Sequence, residues 1–190
     1  MTILLASKSP RRQQLIQEMG FEFQIVHQDI EESYPESMPA NEVAEYLACL
    51  KADAVKGELK TANQVILASD TTVVLDGEIF GKPTDKADAQ RILRALSGKI
   101  HAVITGVCLQ TLSDKISFSE TTFVHFLELS PAEIDYYIES CQPYDKAGAY
   151  AIQEWIGLNK IEKIDGSYFN VVGLPTQRVY QVLQSLGILK

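Results

Sequence analysis

Apolar residues arrive along this chain in two rhythms, and each change of rhythm marks an element. Residues 3–6 (ILLA) are an unbroken apolar run, the pattern of a short buried strand. Ser9 and Pro10 then supply helix-start chemistry, an N-cap hydroxyl followed by a preset φ. Leu15, Ile16 and Met19 give that helix an apolar face, and Gly20 stops it. Residues 21–26 predict a second strand, and the polar, proline-bearing residues 27–40 a surface loop. Asn41 is placed to cap the next helix, where Val43, Tyr46, Leu47, Leu50 and Ala54 recur at helical spacing. Residues 65–68 read as a central strand that ends in Ser69-Asp70-Thr71-Thr72. Residues 73–75 and 77–80 surround Asp76-Gly77, a hairpin signal. Residues 85–96 predict an amphipathic helix with Ala89, Ile92, Leu93 and Leu96 inward and Gly98 just beyond it.

Past Gly98 the period changes to two. Residues 100–112 and 116–129, joined by a polar turn at Ser113-Asp114-Lys115, predict long antiparallel strands. Ser130-Pro131-Ala132-Glu133 is a capping-box sequence that opens a short helix carrying Ile134, Tyr137 and Ile138. Residues 147–152 and 161–164 predict strands, and Pro175 begins a last helix with Val179, Val182, Leu183 and Leu186 inward. The sum is a mixed α/β fold, an elongated sheet with flanking helices in two lobes, without a clean linker or an internal repeat. Residues 1–190 are therefore expected to form one domain.

Composition fits that outline. A chain of 190 residues with 46% hydrophobic and 22% charged residues is an ordinary globular mixture. Its apolar runs fall far short of the roughly 18–20 residues of a membrane-spanning helix. The brief apolar run at the start has its positive charges on the wrong side for a secretory signal, so a cytoplasmic location without membrane attachment is expected. Seventeen Lys and Arg against twenty-five Asp and Glu leave a net charge of −8, a poor basis for binding a nucleic-acid polymer. A small polyanion is still accessible to such a chain if its few cations cluster and metal ions help. Cys49, Cys108 and Cys141 are odd in number and widely spaced, which predicts reduced, buried thiols rather than a disulfide framework. His27, His101 and His125 show no metal-ligand spacing that would suit structural zinc.

Three segments carry residue types suited to chemistry. In ASKSPRR, a strand-to-helix junction aims backbone N–H groups and the positive helix end at one point. Arg11 and Arg12 sit on the first turn, where cations oppose the dipole unless an anion answers them, and Ser7 and Ser9 add hydroxyls. A capped helix with two solvated arginines explains the same residues. In ILASDTTVVLDGEIFGKP, Asp70 follows an apolar strand, where open α/β sheets commonly place ligands. An unperturbed Asp is a weak base at neutral pH, but a divalent cation acidifies its bound water and neutralises phosphate. Lys82, between Gly81 and Pro83, suits a phosphate contact; a turn aspartate and a solvated lysine are the plain alternatives. In YDKAGAYAIQ, small Ala147, Gly148 and Ala149 permit close approach to a flat ligand, and Tyr150 offers a stacking face. The Gln153 amide can read the O4/N3–H edge of uracil or thymine, whereas a packed tyrosine and a surface glutamine are the plain alternative. Glu31, Glu32 and Lys51 are further candidates, Glu32 for metal and Lys51 for phosphate, unless they are a solvated acidic loop and a surface lysine.

Taken in order, SKSPRR, ASDTTVVLDGEIFGKP, LSGKIHAVITGV, DKAGAYAIQ and IDGSYFNVVGLP resemble the Maf family, septum-formation-inhibitor-like nucleoside triphosphate pyrophosphatases. The likeness runs from Ser7 to Pro175. It implies a fold like that of inosine triphosphate pyrophosphatases, with a cleft between lobes. It also implies hydrolysis of a nucleoside triphosphate to the monophosphate and pyrophosphate with Mg²⁺ or Mn²⁺, and a nucleotide-pool role linked to arrest of cell division. Asp70 matches the family's proton acceptor, and Glu32 an acidic position associated with metal and catalysis. Arg12, Lys51 and Lys82 match phosphate-contacting basic positions, with Lys82 counted among the catalytic residues and Lys146 among the substrate-binding ones. Arg11, Thr71 and Gln153 match the branch acting on dTTP and UTP; tryptophan, glutamine and glutamate mark the branch acting on 7-methyl-GTP. Lys8 stands where a small residue is common. The family name also admits a nucleotide-binding regulator, and family members are often homodimers.

Overall fold

The computed structural model describes residues 2–187 of the chain. Among these, seven strands form one mixed sheet in the order β2 (Phe23–Ile25), β1 (Thr2–Leu5), β3 (Gln64–Leu75), β5 (Ile100–Gln110), β6 (Lys115–Phe126) and β7 (Ile161–Asp165), with β4 (Glu78–Phe80) paired to β3. The chain divides into two compact units. The first holds the residues up to 70, residues 105–120 and those from 173 on; the second holds residues 71–104 and 121–172.

In the first unit, β1 (Thr2–Leu5) runs parallel to both β2 (Phe23–Ile25) and β3 (Gln64–Leu75), with Ile3 opposite Phe23 and Val65. Parallel neighbours need crossovers. Helix α1 (Pro10–Glu18) makes the first and α2 (Ala40–Ala54) lies in the second. Ile3, Leu4 and Leu5 are buried, as their unbroken apolar run predicts. Helix α2 turns Val43, Ala44, Leu47, Ala48 and Ala52 inward. It rests backbone-first on Gly106 of β5 (Ile100–Gln110), where a Cβ would lie 2.2 Å from the Ala44 carbonyl carbon. Helix α7 (Thr176–Ser185) buries Val179 and Leu183, while Val182 and Leu186 are half-buried. Its Arg178 lies 4.2 Å over the Phe118 ring of β6 (Lys115–Phe126) and donates to the Ser119 carbonyl.

In the second unit, β4 (Glu78–Phe80) folds back on β3 through Asp76 and Gly77, whose φ values of 52° and 83° are those of a tight hairpin. Helix α3 (Lys86–Leu96) is capped by Asp85, which accepts from the Asp88 N–H at 2.8 Å. Helix α4 (Pro131–Cys141) opens on the full capping box of Ser130 and Glu133. Both helices press on one core that includes Val73, Phe80, Ile92, Leu93, Leu96, Ile134, Tyr137 and Ile138. Two short helices follow, α5 (Trp155–Lys160) and α6 (Tyr168–Val172), with β7 (Ile161–Asp165) between them, antiparallel to β6.

Several expectations are corrected. The central strand does not stop at residue 68: β3 continues through Ser69-Asp70-Thr71-Thr72 to Leu75, because the β-branched Thr71-Thr72-Val73-Val74 run favours extended backbone. Residues 147–152 are not a strand, since Gly148 and Ala149 take φ values of 69° and 57° and close a 3₁₀ turn over Ala147–Ala149. Asn41 lies inside α2, which starts one residue earlier behind Pro39. Ser9 occupies the N-cap position of α1 but makes no side-chain capping bond. Of the thiols only Cys108 is fully buried; Cys49 and Cys141 are half-buried, and all three are free.

Candidate active site

The junction between β1 and α1 is built around Ser7. This buried hydroxyl accepts from the Ser9 N–H at 3.2 Å and from Arg12 Nη1 at 3.3 Å. Arg12 Nε donates in turn to the Gly173 carbonyl at 2.9 Å, so the guanidinium is fixed at both ends. Burial pulls the Arg12 pKa below its ordinary value; the negative charges of Asp70 and Glu32 oppose that pull and Arg11 adds to it. A guanidinium stays charged regardless. The first turn of α1 contains no acidic residue, so Arg11 and Arg12 both stand against the helix dipole.

Lys51 comes to the same place from the last turn of α2. It lies three and four residues beyond the buried Ala48 and Leu47, so its stem runs along the docked face and its ammonium reaches past it. That ammonium pairs with Asp70 Oδ1 and, at 3.1 Å, with Glu32 Oε1. The side chains of Lys51 and Asp70 are only 17% and 14% exposed, whereas Glu32, from the polar loop, is 47% exposed. Asp70 is the first residue of β3 to emerge after the buried run 65–69. The first unit therefore gathers Ser7, Arg12, Glu32, Lys51 and Asp70, with Ser9 and Arg11 on the same helix start.

Residues from the other motifs lie in the second unit. Thr71 follows Asp70 on β3 and is half-buried. Lys82 is exposed on the loop after β4, and the neighbouring Gly81 carbonyl accepts from the Gly148 N–H at 3.0 Å. Lys146 is nearly buried, with its ammonium 2.7 Å from Asp145 Oδ1 and 3.3 Å from Glu154 Oε1. Gln153 is exposed on a turn. Two ligand-facing expectations fail here. Tyr150 is buried, shares a 2.7 Å hydrogen bond with His101 Nε2 and packs edge-on against Phe126, so it offers no open stacking face. The close approach at Gly148 is taken by Val73, whose Cγ2 would lie 2.7 Å from an added Cβ. The Gly173 carbonyl and Glu154 carry no mark of their own in the sequence, and Tyr137 shows there only as an inward position of its helix; only the adjacency of Glu154 to Gln153 draws attention to it.

Chemically, two guanidinium groups, one ammonium, two carboxylates and a helix start suit a bound polyanion with a base nearby. No group of three or more His, Cys, Asp or Glu gathers among the described residues. Two carboxylates converging on one ammonium nevertheless fit a hard divalent cation, which commonly takes one or two carboxylates and completes its shell with substrate phosphate and water. No helix among the described residues is long and apolar enough to cross a membrane.

Sheet order and site together define an α/β protein with a cluster of cations and carboxylates at its opening strand–helix junction. The chain belongs to the family of Maf-like proteins, whose model matches residues 2–186. It is 49% identical to a dTTP/UTP pyrophosphatase of Phocaeicola vulgatus over 97% of this chain and 95% of that protein. A dTTP/UTP pyrophosphatase of Thermosipho africanus is 47% identical over 100% of this chain and 95% of its own. One of Flavobacterium johnsoniae is 46% identical over 97% and 94%. Among solved structures, the Staphylococcus aureus Ham1 protein shares the fold, with a TM-score of 0.52 at 14% identity over 97% of this chain and 98% of that one.

Proposed function

We propose that this protein hydrolyses dTTP and UTP to the nucleoside monophosphate and pyrophosphate. The observation that carries the reading is the convergence of Arg12, Lys51, Asp70 and Glu32 in a chain so similar to proteins of that name. Arg12, the N–H groups at the start of α1, Lys51 and Lys82 hold the triphosphate, and Ser7 keeps the Arg12 fork in place. Asp70 orients a water toward the α-phosphorus and takes its proton as the new P–O bond forms. The bond from the α-phosphorus to the bridging oxygen then breaks, and pyrophosphate leaves with that oxygen. Such transfers need positioning and charge neutralisation rather than a covalent nucleophile. Glu32 and Asp70 are the residues that would hold Mg²⁺ or Mn²⁺. When bound, such an ion supplies neutralisation of phosphate charge. Arg11, Thr71 and Gln153 select the base, Gln153 through its amide, and Lys146 supports the substrate-binding segment. Residues 1–190 act as one Maf-like domain, with a small-molecule nucleotide as partner and a homodimer as the assembly.

The test is pyrophosphate release from dTTP, UTP, CTP, GTP and 7-methyl-GTP with Mg²⁺ or Mn²⁺. The expected kcat/KM for dTTP and UTP exceeds that for the purine nucleotides by at least about tenfold. Tight binding without release would make the protein a nucleotide-binding regulator instead, and preference for 7-methyl-GTP would reassign the base.

A further inference from the structure

Gln153 stands on a four-residue turn, closed by the Glu154 N–H donating to the Ala151 carbonyl at 3.2 Å. Both ends of that turn are tied to a single atom. Tyr137, fully buried on α4, accepts from the Ala151 N–H at 3.0 Å and donates to Glu154 Oε2 at 2.5 Å. The other Glu154 oxygen faces Lys146 at 3.3 Å, and Lys146 is braced again by Asp145 at 2.7 Å. Glu154 occupies the N-cap position of α5 yet makes no capping bond, because its carboxylate is turned to Tyr137 and Lys146. From the far side, Gly157 presses so closely that a Cβ there would lie 1.7 Å from the Ile152 carbonyl oxygen. Ala151 and Ile152 are buried while Gln153 between the anchors is exposed. The turn is thus tied at both ends, with the Gln153 amide left on display between them.

We propose that Tyr137 is a positioning residue for base selection: its hydroxyl, by holding both ends of the turn, fixes where the Gln153 amide stands. This rests on the reading that Gln153 meets the base. Hydrogen-bond readout of a flat base tolerates displacement of only about 0.5 Å, and an exposed glutamine on a loose turn would not hold that tolerance. Burial pushes the Tyr137 phenol pKa up, as does its bond to Glu154, so the hydroxyl remains protonated and remains a donor through the working range.

The test compares Tyr137→Phe, Gln153→Ala and the double variant, with kcat and KM measured separately for dTTP, UTP and GTP. For Tyr137→Phe, KM for dTTP and UTP rises about tenfold, kcat stays within about threefold, and KM for GTP is unmoved. On the Gln153→Ala background the same change adds less than about twofold, because the amide it positions is gone. A folded Tyr137→Phe protein with unchanged pyrimidine preference, beside a Gln153→Ala protein that has lost it, overturns the positioning role and leaves the base reading intact. Unchanged preference in Gln153→Ala overturns the base reading, and the positioning role falls with it. Should Tyr137→Phe fail to fold, Glu154→Ala removes the other end of the link from a partly exposed position. A pyrimidine preference reduced about threefold supports the proposal there, and an unchanged one overturns it.

Discussion

Asp70 is placed to do two things that one substitution separates from folding. Its carboxylate pairs with Lys51, and the same group is the base in the proposed hydrolysis. Asp70→Asn keeps the size and one acceptor oxygen, while Glu32 still answers the Lys51 ammonium at 3.1 Å. We expect pyrophosphate release to fall by about 10²–10⁴-fold with a thermal midpoint close to that of the parent protein. Near-full turnover in that variant would remove Asp70 from the mechanism. At this scale the sequence shows residue types better than surroundings. The arginines of SKSPRR, the acid of SDTT and the exposed Gln153 stand out because charge and amide chemistry are intrinsic to the side chain. Tyr150 misleads because its neighbours, His101 and Phe126, lie far away in sequence and close with it into a three-ring cluster that leaves the ring buried. The Gly173 carbonyl that anchors Arg12 has no side-chain signature at all.

Among the elements, the contact between α2 and β5 at Gly106 is the one with least room. A methyl group at that position meets the Ala44 carbonyl carbon and the Glu45 nitrogen at 2.2 Å, and backbone cannot step aside as a flexible side chain can. Gly106→Ala is expected to cost about 2–3 kcal/mol, read as a lower urea midpoint. Because α2 also carries Lys51, kcat/KM should fall at temperatures where the variant is still folded. An unchanged midpoint would show that the helix yields more easily than its packing implies. Long periodic elements such as α2, α3 and the β6 strand are legible because burial imposes their period on many residues, whereas β5 departs from the expected period of two and is buried without a break from Val103 to Gln110. The helices α5 and α6, of six and five residues, are too short to show one. The Ala147–Ala149 turn imitates a strand in composition, and only the positive φ of Gly148 and Ala149 distinguishes it.

The whole molecule should show one pH dependence that belongs to its interior rather than its acidic surface. His101 is buried against Tyr150 and Phe126, and its Nδ1 has no hydrogen-bond partner among the described residues. Burial, with a smaller contribution from His125, lowers its pKa from 6.5 to about 4. Between those values the unfolded chain binds a proton that the folded protein refuses. Stability from this group is therefore complete above pH 6.5 and declines as pH falls toward about 4, by on the order of 3 kcal/mol. Urea unfolding at about pH 7 and about pH 4.5 checks this, and His101→Phe should flatten the difference. A slope as steep in that variant would assign acid sensitivity to the carboxylates instead. At this scale the fold class was readable, since strands and helices alternate along the first half of the chain. The order of strands was not, because hydrogen-bonded neighbours such as β1 and β3 are separated by some sixty residues of intervening chain.

Neither compact unit is one continuous stretch: the backbone passes from one to the other between residues 70 and 71, 104 and 105, 120 and 121, and 172 and 173. Genetic exchange at a single breakpoint could not swap the unit bearing Gln153 while sparing the one bearing Arg12 and Asp70. A hybrid gene would need two separate inserts with every splice matched, three of them within β3, β5 and β6. New base preferences in such a lineage would arise by point substitution, not by shuffling of modules.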